Sequence, residues 1–133
     1  MQFKSNYKGQ LRTVAEHLGS GDQLITDAPI DNNGKGETFS PTDLVATALG
    51  SCMMTIMAIE AKKYGMRLGD LTWETTKVMR VNPRTISKIK IHFSWPNCLL
   101  TDDQRAWLKE KGLSCPVALA LHPDIIQEVT FDF

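Results

Sequence analysis

The run SPTDLVATALGSCMMTIMAIEAKKYG, from Ser40 to Gly65, decides the fold. Ser40 is a good N-cap, Pro41 suits the first helical position, and Asp43 stands where it can return a capping bond. Lys62 and Lys63 put positive charge at the other end, where the helix dipole favours it, and Gly65 supplies a C′ residue. The pattern predicts one helix from about Pro41 to Tyr64. Its apolar residues, among them Leu44, Val45, Leu49, Met53, Met54, Ile56, Met57 and Ile59, cover most of the circumference. Such a helix is expected to be buried on nearly every side, at the centre of the protein. The apolar stretch Leu44 to Ile59 is interrupted by Thr47, Gly50, Ser51, Cys52 and Thr55. It falls short of the roughly twenty residues that span a bilayer, so no membrane partner is expected.

Upstream of this helix, Phe3, Ser5 and Tyr7, then Leu11, Thr13, Ala15 and His17, then Leu24, Thr26 and Ala28 alternate along the chain. Breaks at Lys8-Gly9 and Gly19-Ser20-Gly21-Asp22 make these three short antiparallel strands. Asp31-Asn32-Asn33-Gly34-Lys35-Gly36 reads as a loop. Downstream, Leu71–Val81 and Ile86–Trp95 alternate around Asn82-Pro83-Arg84 and predict a long hairpin. Thr101 N-caps a helix from Asp102 to Lys111, which Gly112 is expected to end. Ser114-Cys115-Pro116 opens a short helix to about Leu121, and Gln127–Phe133 reads as a closing strand. Strands are grouped rather than alternating with helices, so the class is α+β, in a single domain over residues 1–133.

Composition narrows the function. The chain has 133 residues, of which 42% are hydrophobic and 23% charged, as in an ordinary globular protein. Fifteen Lys and Arg against fifteen Asp and Glu leave no net charge, so no bulk attraction to nucleic acid is expected. A protein with so little net charge is expected to keep soluble by hiding apolar surface, for which a subunit interface is one place. The opening residues lack the basic start and apolar run of a secretory signal, and three cysteines make an odd number. Both point to a reducing, cytoplasmic setting.

Two cysteines stand out. Cys52 lies mid-helix among small and apolar neighbours, where packing as a small hydrophobe explains it adequately. Cys115 precedes a proline at a helix start, where free N–H groups stabilise an anion and lower a thiol pKa from about 8.5. Capping that helix explains Cys115 equally well. If the short helix packs on the central one, the two thiols could form a reversible disulfide, which needs Cα atoms within about 7 Å. Cys98 falls in a loop with no charge nearby and is read as a bystander. Cys115 and His122 could share a helical face, but His17, His92 and His122 show no metal-ligand spacing, so neither a metal nor a cofactor is expected.

The run Phe39-Ser40-Pro41-Thr42-Asp43-Leu44-Val45-Ala46-Thr47-Ala48-Leu49-Gly50-Ser51-Cys52 resembles the central-helix signature of the OsmC/Ohr family. Gly112-Leu113-Ser114-Cys115-Pro116-Val117 resembles its second-cysteine motif, and Gly9-Gln10-Leu11-Arg12 and the closing strand also fit. The resemblance covers essentially the whole chain. It implies an intertwined homodimer with two active sites at the subunit interface and the central helices back to back. The implied activity is a cytoplasmic thiol peroxidase acting on organic hydroperoxides or related peroxides, regenerated by a thiol or dithiol such as a lipoyl protein. By position, Cys52 would be the peroxidatic cysteine, Cys115 the resolving one, and Arg12 the cation that stabilises the thiolate. The hydroperoxide-reductase branch of the family carries a glutamate in the helix's first turn that holds the arginine. Thr42 stands at that position here, with Asp43 next to it as the carboxylate available to replace it. This points to an OsmC-like subgroup. The competing reading is a noncatalytic dimer that binds a hydrophobic ligand in an apolar interface pocket rich in Met53, Met54, Met57 and Met66.

Overall fold

In the computed structural model, which describes all 133 residues, the expected order of strands and helices is observed. The chain forms two compact units, Met1–Val45 and Ala46–Phe133.

In the first unit, β1 (Phe3–Gly9), β2 (Arg12–His17) and β3 (Asp22–Asp27) form an antiparallel sheet in that order. Its registers pair Phe3 with His17, Tyr7 with Thr13 and Ala15 with Leu24, which places Phe3, Tyr7, Ala15 and Leu24 on one face. Arg12 pairs with Asp27 and Val14 with Ile25 on the opposite face. Phe3, Tyr7, Leu24 and Ile25 are all exposed in the single chain. The expected loop follows, tightened by a 3-10 turn at Ile30–Asn32.

The long helix α1 (Pro41–Lys63) begins as predicted. Ser40 N–H donates to Asp43 Oδ2 at 2.9 Å, and Asp43 N–H donates to Ser40 Oγ at 3.1 Å, a reciprocal capping box. At the far end Gly65 is left-handed and the Met66 N–H donates to the Ala61 carbonyl at 3.0 Å, closing the helix with a Schellman bond.

The second unit contains β4 (Thr72–Arg80), β5 (Thr85–Ser94), α2 (Asp102–Leu113), α3 (Pro116–Ala120) and β6 (Ile126–Asp132). The sheet order is β4-β5-β6, and β4 pairs antiparallel with β5 as the hairpin pattern requires. The closing strand β6 instead runs parallel to β5, because α2 and α3 carry the chain back before it enters the sheet. The β4–β5 register shifts at Val78/Met79, and Ser87 Oγ donates to the Val78 carbonyl there at 3.1 Å. This bulge lets Ile86 and Ile89 both face inward although they are three residues apart.

Ile89, Ile91 and Phe93 are fully buried, and Phe93 stacks on Phe131 with ring centroids 5.3 Å apart. Trp73 from β4 lies against α1 at Gly50, where a Cβ would stand 2.8 Å from the indole Nε1. The buried side of α1 is the stripe Ala46, Leu49, Gly50, Met53, Met57 and Ala61. Burial on nearly every side is therefore not reached within one chain: Ser51, Thr55, Ala58 and Ile59 remain exposed. The length argument against a membrane span also needs correction, since α1 has 23 residues and is long and apolar enough to cross a bilayer. Its packing against β4 and α2 is what makes it a core helix.

Phe93 and Lys90 sit on opposite faces of β5, one buried and one exposed. Phe93→Ala is expected to cost about 3–5 kcal/mol in urea unfolding. Lys90→Ala should stay within about 0.5 kcal/mol of the parent.

Candidate functional site

The two cysteines singled out from sequence belong to the second unit, and the structure brings them together there. Cys52 lies on α1 and is half-buried, whereas Cys115 is 0% exposed; neither is in a disulfide. Cys115 N-caps α3, and its sulfur accepts from the Ala118 N–H at 3.4 Å. α3 is tied to the sheet by Gln127, whose Nε2 donates to the Ala118 carbonyl at 2.9 Å. Gln127 is the first inward-facing residue of β6, a role visible only once that strand's register is known.

The helix-start argument predicts a lowered pKa for Cys115, and the structure reverses it. Burial pushes the Cys115 thiol up, and the neighbouring Cys52 thiol pushes the same way. The N–H groups of Ala118 and Val117 pull it down without overcoming these effects. With only five residues, α3 supplies few free N–H groups against complete exclusion of water. Cys115 is therefore a protected thiol at neutral pH.

Cys98 is half-buried in its loop, and the expectation of no nearby charge is not met. The Arg105 guanidinium donates to the Leu100 carbonyl at 3.0 Å and to the Cys98 carbonyl at 3.3 Å. That charge is engaged by backbone oxygens rather than directed at the thiol. The histidines are held locally: Nδ1 of His17 meets Ser20 Oγ, that of His92 meets Thr130 Oγ1, and that of His122 accepts from Asp124 N–H.

Arg12 belongs to the first unit. Its Nε and Nη2 donate to the two carboxylate oxygens of Asp27 at 2.7 and 2.8 Å, a bidentate pair set by their facing positions on β2 and β3. Nη2 also donates to Glu37 Oε2 at 2.9 Å. Asp27, only 1% exposed, further accepts from the Glu37 N–H at 3.1 Å. Its hydrogen bonds to Asp27, then to Glu37, raise the Arg12 pKa above its ordinary value, and Arg12 in turn holds the Asp27 carboxyl below the usual range. Asp43, the expected substitute for the missing glutamate, is occupied in the capping box of α1. Sequence reasoning missed Asp27 and Glu37; the β2–β3 turn at Gly19–Asp22 carried the register that would have found Asp27.

The methionines of the binding alternative differ in burial. Met53 and Met57 are core residues, while Met66 lines an open groove with Tyr64 and Trp107.

Asp27 has a folded pKa below its unfolded value of about 3.9, so its stabilisation is complete above that pH and is lost as pH falls through the folded value. Asp27→Asn should lower the urea midpoint at pH 7. The gap from the parent should close as the pH is lowered below about 4.

Residues 34–129 match the family of OsmC-like proteins. Among solved structures, a candidate osmotic-stress-induced and detoxification response protein of Psychrobacter arcticus 273-4 is 46% identical. That match covers 98% of this chain and 95% of the other, with a TM-score of 0.93. An organic hydroperoxide resistance protein OsmC of Legionella pneumophila shares the fold at 15% identity and a TM-score of 0.77, covering 100% and 98% of the two chains. One of Elizabethkingia anophelis, with thiocyanate bound, does so at 15% identity and a TM-score of 0.73, covering 99% and 96%. Comparison with curated protein sequences gives no match. The family match over most of the sequence, together with the near-full-length relative, establishes that this chain belongs to the OsmC-like family.

Proposed function

We propose that the protein is a cytoplasmic thiol peroxidase that reduces organic hydroperoxides through Cys52 and Cys115. The observation that carries this reading is the adjacency of two free thiols that differ in exposure, one half-buried and one fully buried. A substrate must reach the attacking sulfur, which favours Cys52; a protected thiol with a raised pKa suits the second step. The Cys52 thiolate attacks one oxygen of the hydroperoxide, the O–O bond breaks, and the alkoxide takes a proton to leave as an alcohol. Cys52 is then a sulfenic acid, and the Cys115 thiol condenses with it to give a disulfide and water. An external thiol or dithiol, of the lipoyl type or a small thiol, returns both to the reduced state by exchange.

Arg12 is assigned to thiolate stabilisation by the family resemblance. Its raised pKa keeps it charged at every working pH. Exposed Phe3, Tyr7, Leu24 and Ile25 on the first sheet and Ile59 on α1 support a homodimer that covers them. Light scattering at micromolar protein should then give about twice the 14.9 kDa chain mass; a clean monomer would remove the shared site.

The cysteine assignment is tested by stopped-flow reaction of the reduced protein with cumene hydroperoxide, followed by mass analysis. Cys52→Ser should abolish consumption. Cys115→Ser should consume about one equivalent and stall with sulfenic or overoxidised Cys52. Cys98→Ser should behave as the parent. Arg12→Ala should slow the first step by raising the thiol pKa, with partial recovery at higher pH. If all three cysteine variants match the parent, the ligand-binding alternative takes its place, with the Met66 groove as the first surface to probe.

A further inference from the structure

Gly112 is not the helix stop that its sequence position suggests. α2 continues through Leu113 and ends on Ser114 as its C-cap, and the backbone at Gly112 is not left-handed. A glycine inside a helix costs about 1 kcal/mol relative to alanine and here contributes no turn in return. Its surroundings supply the reason. A Cβ at this position would stand 3.0 Å from Met57 Cγ, 3.1 Å from Met57 Sδ and 3.7 Å from the Met53 carbonyl oxygen. Met57 is 0% exposed and Met53 1%, so the neighbours have little room to retreat. Gly112 is the point at which α2 approaches the α1 backbone.

That point lies beside both thiols. On α1, Met53 follows Cys52 directly. On the other side, the Gly112 carbonyl accepts the Cys115 N–H at 3.2 Å, so the backbone that touches α1 also holds the second cysteine. Resting on the Cys52–Cys115 redox reading, we infer that Gly112 is a positioning residue for disulfide formation. By lacking a side chain it lets α2 sit close enough to α1 for Cys115 to reach oxidised Cys52. It takes no part in the attack on peroxide, which does not involve Cys115.

The step it governs is the condensation of Cys52 sulfenic acid with the Cys115 thiol: the S–O bond breaks, the S–S bond forms, and water leaves with the thiol proton. A disulfide joins sulfurs about 2.05 Å apart, with Cα atoms about 4.4–6.8 Å apart. Displacement of α2 by a fraction of an ångström should slow that closure steeply, since misplacement by about 1 Å costs on the order of a hundredfold in a positioned reaction.

The experiment follows both steps in the reduced full-length protein mixed with one equivalent of cumene hydroperoxide. Dimedone trapping reads sulfenic acid at Cys52, and non-reducing mass analysis reads the disulfide. In Gly112→Ala, sulfenic acid should form at the parent rate while the disulfide forms about tenfold more slowly, so more dimedone adduct accumulates. Gly112→Ala combined with Met57→Ala, which removes the atoms a Cβ would strike, should restore the disulfide rate. Gly69→Ala, at a glycine with nothing within 4 Å of its Cβ, should match the parent in both steps. If Gly112→Ala does not fold, Met57→Ile crowds the same contact from the α1 side and should give the same split. Equal slowing of both steps, or a parent-like disulfide rate in Gly112→Ala and Met57→Ile, overturns the positioning role. A parent protein that forms no Cys52–Cys115 disulfide overturns the peroxidase reading instead.

Discussion

The contact between α2 and the Met53–Met57 turn of α1 is the constraint on which the site depends. α1 is fixed from one side by β4, where Trp73 lies on Gly50, and from another by α2, where Gly112 lies on Met57. Both contacts use a glycine, so in each case the partner meets helix backbone rather than a side-chain layer. A larger residue at either position would move a whole element, because the neighbouring side chains are already packed. Cys52 falls between the two contacts in sequence, and Cys115 follows the second by three residues. The cysteine pair is thus placed by helix packing, with α3 and the Gln127 bond holding the outer end.

Features that depend on local chemistry were legible in the sequence. The α1 caps, its length and its charge-ordered ends follow from side chains within a turn of each terminus. The same holds for the Thr101 capping box of α2, where Gln104 reciprocates. Alternation located the strands. The parallel entry of β6 was not legible, because nothing within Ile126–Asp132 states which neighbour it pairs with or in which direction. The bulge at Ser87 was likewise hidden: the spacing of Ile86 and Ile89 is a defect in a simple alternation and becomes meaningful only against the β4 register. Gly112 was misread for a related reason. Before a helix break a glycine suggests a stop, and only the position of Met57 shows that it serves an approach.

The candidate site divides along the same line. Cys52 and Cys115 were visible because thiols are few and their motifs specific. Their asymmetry was not, because the helix-start argument gives the right local donors but omits burial, the dominant effect at Cys115. Asp27 and Glu37 were missed because the search for a carboxylate near Arg12 followed the family's helical position to Thr42 and Asp43. Cross-strand pairing supplied the partner instead.

Cross-strand pairing decides how Arg12 is held. A guanidinium bonded to one buried and one exposed carboxylate carries its charge within a cluster whose sum is negative. Asp27 is buried, bidentate and held ionised, so it acts as a fixed mount that sets the orientation of the planar group. Glu37 is 61% exposed and contacts one nitrogen, so water and salt compete for it. The two carboxylates therefore differ in kind. One orients the cation at all working pH values, and the other balances its charge only as strongly as a solvent-exposed pair allows.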